Sequence, residues 1–230
     1  MSAWEQFIDS RSNHNSVVLI AKLLHLPSAE PILQWTIEQR DRELFNLRIQ
    51  MFGQEFQSIC SCPSCGFRME WKFDVNEINL DKLPDIPPAN RFDVVVNDYK
   101  LHCRLPVVND LFSQNHENLF WECLLSVFFA NAPVASKTIN PEIQQMIHQE
   151  VERLCPVSSL SFQFVCHECS KPWEEPFDIS DYLIKEINQW AASILLEVSL
   201  LARAFGWPET TIVNMSQKKR SHYLSLIQET

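Results

Sequence analysis

Residues 62–66 read CPSCG and residues 166–170 read CHECS. Each contains a C-x2-C bracket, and the text after the brackets also matches: MEWKFDV (69–75) follows the first and WEEPFDI (173–179) the second. Laying Cys62 on Cys166 puts Cys65 on Cys169, Phe73 on Phe177, Asp74 on Asp178 and Val75 on Ile179. The chain carries two copies of one small unit, separated by a long insertion.

Two C-x2-C turns are the usual way to assemble a tetrahedral four-sulfur site, because each turn aims both thiolates at one centre while its own backbone N–H groups point at the sulfurs. Pro63 stiffens the first turn, and Gly66 supplies a left-handed residue after its second cysteine; in the second turn Ser170 stands in that place. The spacing predicts one zinc ion held by Cys62, Cys65, Cys166 and Cys169, with iron or free redox thiols as the alternatives. Four thiolates leave no open coordination position, so the site is expected to be structural, not catalytic. Cys60 lies two residues from Cys62 and could swap in as a ligand, but the favoured reading is an exposed or half-buried thiol. Cys103 and Cys123 fall on apolar faces and are read as small hydrophobes, and Cys155 is also unassigned. His102, His116 and His167 would serve as ligands only if a cysteine were displaced, and His167 is expected to face solvent.

The 230 residues, 46% hydrophobic and 21% charged, suit a globular fold: one large domain or one domain with an insertion. No apolar run approaches the length of a membrane span, and the opening MSAWEQFIDSRSNHN lacks the pattern of a signal peptide, so the expectation is a soluble cytoplasmic protein. Eight cysteines in such a chain argue against a disulfide framework. A net charge of −10 disfavours non-specific contact with phosphate backbones. With three glycines in all, no G-x-G-x-x-G, P-loop or G-x-S-x-G motif is written, and no Ser/His/Asp or Cys/His grouping stands out. Gly53 and Gly206 each follow a helical stretch and read as helix C-caps.

Hydrophobic periodicity predicts a short helix over 16–26, a helix from about 31 to 52 decorated by Arg40, Asp41 and Arg48, and a strand over 70–75. INLDKLPDIPPAN (78–90) is a Pro-rich connector. RFDVVVNDYKLHCRLP (91–106) reads as a β-hairpin turning at Asn97-Asp98. Helices are expected at 117–129 and 141–154, and a strand at 159–166. From Ser180, taken as an N-cap, a long helix places Leu183, Ile187, Trp190, Ile194, Val198, Leu201 and Phe205 on one face. Two short helices close the chain, the last with Lys218, Lys219 and Arg220, read as a solvated face or a protein contact. The carboxylates of DVNEIN and WEEPFDISD read as solvated or capping; Asp74 and Asp178 are expected to accept hydrogen bonds from the knuckle backbone.

The predicted fold class is α+β: a four-cysteine zinc ribbon split by a long insertion, with helical N- and C-terminal regions. Its parts are an N-terminal helical region (1–58), the first knuckle and strand (59–83), an insertion of a β-hairpin plus helices (84–158), the second knuckle (159–180) and a C-terminal helical region (181–230).

The order of features, RDRELFNLRIQMFG (40–53), the CPSCG knuckle, a strand ending in RLP (104–106), the second C-x2-C with its Trp and FDI, and the tail LARAFGWPETTIVNMSQKKRSHYLSLI (201–227), resembles the T4-type baseplate hub assembly chaperones, a family also found in the gene clusters of contractile injection systems. The resemblance covers nearly the whole chain. Two departures stand out: CHECS where the family tends to C-P-x-C-G, and ILQWTIEQ (32–39) where it has a small-residue turn. The resemblance implies a non-enzymatic role in phage tail or injection-system assembly, holding a baseplate hub or wedge protein. It implies no nucleic acid, membrane or small-molecule substrate. Trp190, Leu201, Phe205, Trp207 and Tyr223 are the residues expected to meet the partner. The competing readings are a nucleic-acid-binding zinc-ribbon regulator, using the C-terminal helices, and a thiol redox enzyme.

Overall fold

Thr36 decides how the N-terminal helices break. In the computed structural model, which describes residues 12–78, 80–112, 119–135 and 139–228, the Thr36 hydroxyl accepts the Gln39 N–H and the Gln39 side chain accepts the Thr36 N–H. This capping box satisfies two N–H groups that a helix start leaves unpaired. The helix expected from 31 to 52 is therefore two: α2 (Glu30–Leu33) and α3 (Ile37–Phe52), preceded by α1 (Ser12–Leu23). Gly53, at φ +90°, ends α3 and donates its N–H to the Ile49 carbonyl.

By compact contacts the chain divides at residue 181. In residues 13–180 the two cysteine brackets sit at the tips of two antiparallel hairpins. One pairs β1 (Glu55–Ser61) with β2 (Arg68–Asp74). Between the hairpins, β3 (Arg91–Val96), β4 (Tyr99–Arg104), β5 (Leu124–Phe129) and β6 (Ala132–Val134) form a four-stranded antiparallel sheet in that order, joined by α4 (Leu119–Cys123) and followed by α5 (Pro141–Leu154). The second hairpin pairs β7 (Ser161–Val165) with β8 (Pro172–Pro176). The arrangement is mixed α and β with antiparallel sheets.

The hairpins repeat each other at a constant offset of 104 positions (166 less 62). Ser61 pairs with Arg68 as Val165 pairs with Pro172. The β1 strand went unread in the sequence, yet the strand expected at 159–166 implies it once the offset is applied. Aromatic rings lock one hairpin to the other. Trp71 and Phe73 from β2 each lie 4.8 Å, centroid to centroid, from Phe162 of β7, and Phe177 meets Phe73 edge-on at 5.6 Å. Such tilted and edge-on pairs suit the ring quadrupoles.

In the insertion the hairpin over 91–104 turns at Asn97-Asp98, with Asn97 at φ +50°. The helix expected at 117–129 is not formed over its described part, 119–129, beyond α4. After the single turn of α4, LLSVFF (124–129) extends as β5, because β4 and β6 pair with it and bury Leu124 and Val127 in the sheet core. Short apolar runs fit either period, and the neighbouring strands decide. Asn140 caps α5 by accepting the Ile143 N–H, and Ile143, Ile147 and Leu154 join the same core.

From residue 181 on, the other unit carries all but the first two residues of α6 (Ile179–Phe205), with α7 (Glu209–Val213) and α8 (Gln217–Gln228). Asp178, not Ser180, caps α6: its carboxylate accepts the Ser180 N–H at 2.8 Å. The buried stripe of α6 runs through Leu183, Ile187, Ala191, Val198 and Leu201, while Trp190 lies half exposed beside it. Val198, Leu201 and Ile212 form the core of this unit, with Trp207 and Tyr223 packed on it. Gly206, at φ +67°, turns the chain out of α6, so Phe205 stacks on Trp207 at 4.6 Å. Among the described residues, no helix is long and apolar enough to cross a membrane.

Candidate metal centre

The two hairpin tips bring Cys62, Cys65, Cys166 and Cys169 together, with all four sulfurs within 4.8 Å of one another. Two contacts cross between hairpins: Cys62 to Cys169 at 3.7 Å and Cys65 to Cys166 at 3.5 Å. These distances exceed a disulfide bond and match a tetrahedron of thiolates around one ion: metal–sulfur bonds of about 2.3 Å imply edges of about 3.8 Å. The first cysteine of each bracket is buried, while Cys65 is exposed and Cys169 half-buried.

The local backbone is the same at both tips. Gly66 donates its N–H to the Cys62 carbonyl and Ser170 to the Cys166 carbonyl. Cys62 and Cys166 in turn donate to the carbonyls of Phe67 and Lys171. Gly66 takes φ +75° and Ser170 takes φ +56°, so a serine bears the left-handed conformation in the second copy. Backbone N–H groups face the sulfurs, as the spacing predicts: Ser64 and Cys65 toward Cys62, Phe67 toward Cys65, and Cys169 toward Cys166. Burial opposes ionisation of Cys62, but the Ser64 and Cys65 N–H groups outweigh it and bring the thiol down to about 7. At Cys65 the Phe67 N–H favours the thiolate, yet burial and the neighbouring sulfurs push it up to about 12. Four adjacent sulfurs resist losing four protons, and a bound cation removes that resistance.

The other thiols and imidazoles stay apart from this cluster. Cys60 is buried, not exposed or half-buried as expected, because it lies within β1 opposite Met69, and it stands outside the four-sulfur group. Cys103, Cys123 and Cys155 are pushed up by burial, to about 12, 11 and 12, which keeps them protonated. His167 is exposed within the second bracket, and His102 bonds to Asp93 at 2.6 Å on the sheet surface. His116 lies outside the described residues.

Asp74 and Asp178 do share a role, though not the expected one. Each carboxylate accepts the N–H two residues on, from Asn76 and Ser180, and so starts the helical turn that leaves its hairpin. The charges of α3 are the larger surprise, since Arg40, Asp41 and Arg48 do not decorate a surface. They are buried, as is Glu38, which is wholly inaccessible. The Glu38 carboxylate accepts N–H groups from Val157 and Ser158 and the Arg42 guanidinium at 2.7 Å; Arg42 also donates to the Pro84 carbonyl. Arg48 lies 3.9 Å above the Phe56 ring and donates to the Gly53 carbonyl. Glu38 ties α3 to the residues that precede the second hairpin, and Arg48 ties it to the first. The one sequence signal was the density of charge within EQRDRELFNLR (38–48).

Of the residues expected to meet a partner, Trp190 and Phe205 are exposed, and Trp207 and Tyr223 are half-buried in mutual contact at 4.8 Å. Leu201 is fully buried in the core and presents nothing to a partner. Arg220, read as part of a solvated basic cluster, is buried: it pairs with Glu197 at 2.8 Å and donates to the Met215 carbonyl. Compared with family models, curated proteins and solved structures, the chain matches none. The site defines the class: a chain whose distant halves meet at four cysteines able to hold a metal ion.

Proposed function

We propose that this chain is a non-enzymatic assembly factor of a contractile-tail baseplate: a scaffold locked by one structural zinc ion that works by binding a hub or wedge protein in the cytoplasm. The observation that carries the reading is the four-sulfur cluster itself, built from two repeated hairpins with no fifth donor grouped with it among the described residues. A closed tetrathiolate site supplies folding energy, on the order of 10 kcal/mol in isolated fingers, and offers no open position for chemistry. Zinc suits this role because it is redox-inert, and the paired hairpins then form a zinc ribbon split by the 84–158 insertion. Iron in the same sulfurs would colour the protein, which makes the choice of metal directly measurable.

The baseplate part of the reading rests on the sequence order and the tail motif. It is supported by the apolar residues exposed along α6, where Trp190, Leu196 and Leu200 face outward. Exposed apolar area of this kind is what a binding equilibrium needs to shield a partner's unassembled surface. The nucleic-acid reading loses ground, since Arg220 is spent on Glu197 in a chain of net charge −10.

The test is a pull-down from the native host with the captured proteins identified by mass spectrometry. The expected result is a tail hub or wedge protein, lost when Leu196 and Leu200 are replaced by glutamate while metal content stays at one ion per chain. A deletion strain with an unchanged number of baseplates would overturn the assembly role.

A further inference from the structure

The insertion encloses a cavity that the metal centre and the partner surface leave unused. It measures about 340 Å³ and opens between the strand β4, the short helix α4 and the helix α5. Its walls are apolar: Phe92, Leu119, Phe120, Ile147 and Val151. The thiols of Cys103 and Cys123 complete the lining, and burial keeps both protonated, so they act as small apolar groups.

Size and polarity narrow the occupant. A cavity of about 150 Å³ with such walls stays dry and takes benzene. Pockets for larger organic ligands begin at about 300 Å³. Among the described residues no carboxylate lines the cavity, although the chain carries a net charge of −10. Two basic residues do. The Arg104 guanidinium is taken up by Asp110, which it contacts at 2.7 Å and 3.2 Å, and by the Leu105 carbonyl. His148 is different: its ring stacks on Phe120 at 5.1 Å, it is exposed at the rim, and its nitrogens have no hydrogen-bond partner among the described residues. The cavity thus has an apolar body and one polar handle at its mouth.

We infer that this cavity is a binding site for a small aromatic molecule bearing a single hydrogen-bonding group, with the ring inserted among Phe92, Ile147 and Val151 and the polar end directed to His148. The site is separate from the four cysteines and does not depend on the assembly role. The occupant is a ligand held by shape and one hydrogen bond, in a lining of apolar side chains and protonated thiols.

The test uses 4-fluorophenol as the probe and the full, metal-loaded chain. Its fluorine resonance is expected to broaden and shift in proportion to protein added, with saturation in the micromolar to low millimolar range. Val151→Trp, which fills the cavity, abolishes the shift, and His148→Ala weakens binding several-fold. Should Val151→Trp fail to fold, the native chain still decides the matter. Saturating probe is expected to slow alkylation of the half-buried Cys123 by N-ethylmaleimide at least several-fold, with the four metal-site thiols unaffected. No broadening at millimolar probe, an unaltered shift with folded Val151→Trp, or an unchanged rate at Cys123 would each overturn the inference.

Discussion

The Sγ of Cys65 lies 3.5 Å from the Sγ of Cys166, 101 positions further along the chain. That contact and its counterpart, Cys62 with Cys169, both cross from one hairpin to the other. A metal there ties the first unit of the repeat to the second and closes the loop that contains the whole four-stranded insertion. Cross-links closing long loops remove the most entropy from the unfolded chain, so the clamp stabilises out of proportion to its size.

Cys65→Ser is therefore expected to reduce bound metal from one ion per chain toward none and to lower stability by more than about 3 kcal/mol, a fall of roughly 10 °C in Tm for a chain of this length. Cys60→Ser, two residues from the nearest ligand and outside the cluster, is expected to leave metal content unchanged and to cost about 1 kcal/mol or less. Elemental analysis beside a melting curve separates the two. Equal metal content in both variants would remove the clamp from the account.

Glu38 is the counterpart of that clamp on the other side of the hairpins. Its carboxylate is inaccessible, receives the Val157 and Ser158 N–H groups, and pairs with Arg42. Removing one partner of a buried ion pair strands the other, at roughly 3–5 kcal/mol. Glu38→Ala is expected to fall in that range by urea denaturation. In a double-mutant cycle with Arg42→Ala the two losses should fail to add, because the second substitution removes a group that the first has already orphaned.

Much of this was legible, and the repeat explains why. The spacing of Cys62, Cys65, Cys166 and Cys169 dictates both the tips and their convergence, since two C-x2-C turns have few other uses. The hairpin at 91–104 and the helix at 141–154 were equally plain from hydrophobic periodicity and the Asn97-Asp98 turn. Where tertiary contacts override local pattern, the reading failed. LLSVFF (124–129) carries no period of its own and becomes a strand because β4 needs a neighbour. The charges of α3 look like a wet face by residue type, and only the fold reveals that Val157, Ser158 and the Gly53 carbonyl wait for them. Arg220 misled in the same way, since a basic residue between lysines and a serine gives no hint of Glu197 one helix away.

Arg220 gives a test within the C-terminal unit. Lys218 and Lys219 are exposed, whereas the Arg220 side chain is 9% accessible and spans Glu197 and Met215. Arg220→Ala is expected to cost about 2–4 kcal/mol, by leaving Glu197 and a carbonyl without their donor. Lys218→Ala and Lys219→Ala should stay within about 0.5 kcal/mol of the parent. If the basic cluster were a nucleic-acid contact, the lysines would matter for binding at low salt and Arg220 would not matter for folding. A gel-shift titration and three melting curves distinguish the cases.

Asp41 sets an unusual pH dependence. Burial raises its carboxyl from 3.8 to about 6, against the opposing pull of Arg40 at 2.7 Å. A carboxyl raised in the folded state holds its proton more tightly there than in the unfolded chain. Between about pH 4 and pH 6 the native protein binds more protons at this position, so stability falls as pH rises through that window. The full penalty, about 3 kcal/mol for a shift of roughly two units, is present above pH 6 and absent below pH 4. Carboxylates with depressed pKa act in the opposite sense, so the bulk curve mixes both signs. The informative quantity is the difference between the native chain and Asp41→Asn, which does not titrate. Measured by urea denaturation from pH 4 to pH 7, that variant should gain on the native chain by about 2 kcal/mol as the pH rises, whatever its offset at pH 4. A difference that stays flat across the window would mean that the Arg40 contact compensates the burial of Asp41 in full, and that the charge cluster of α3 is ionised throughout.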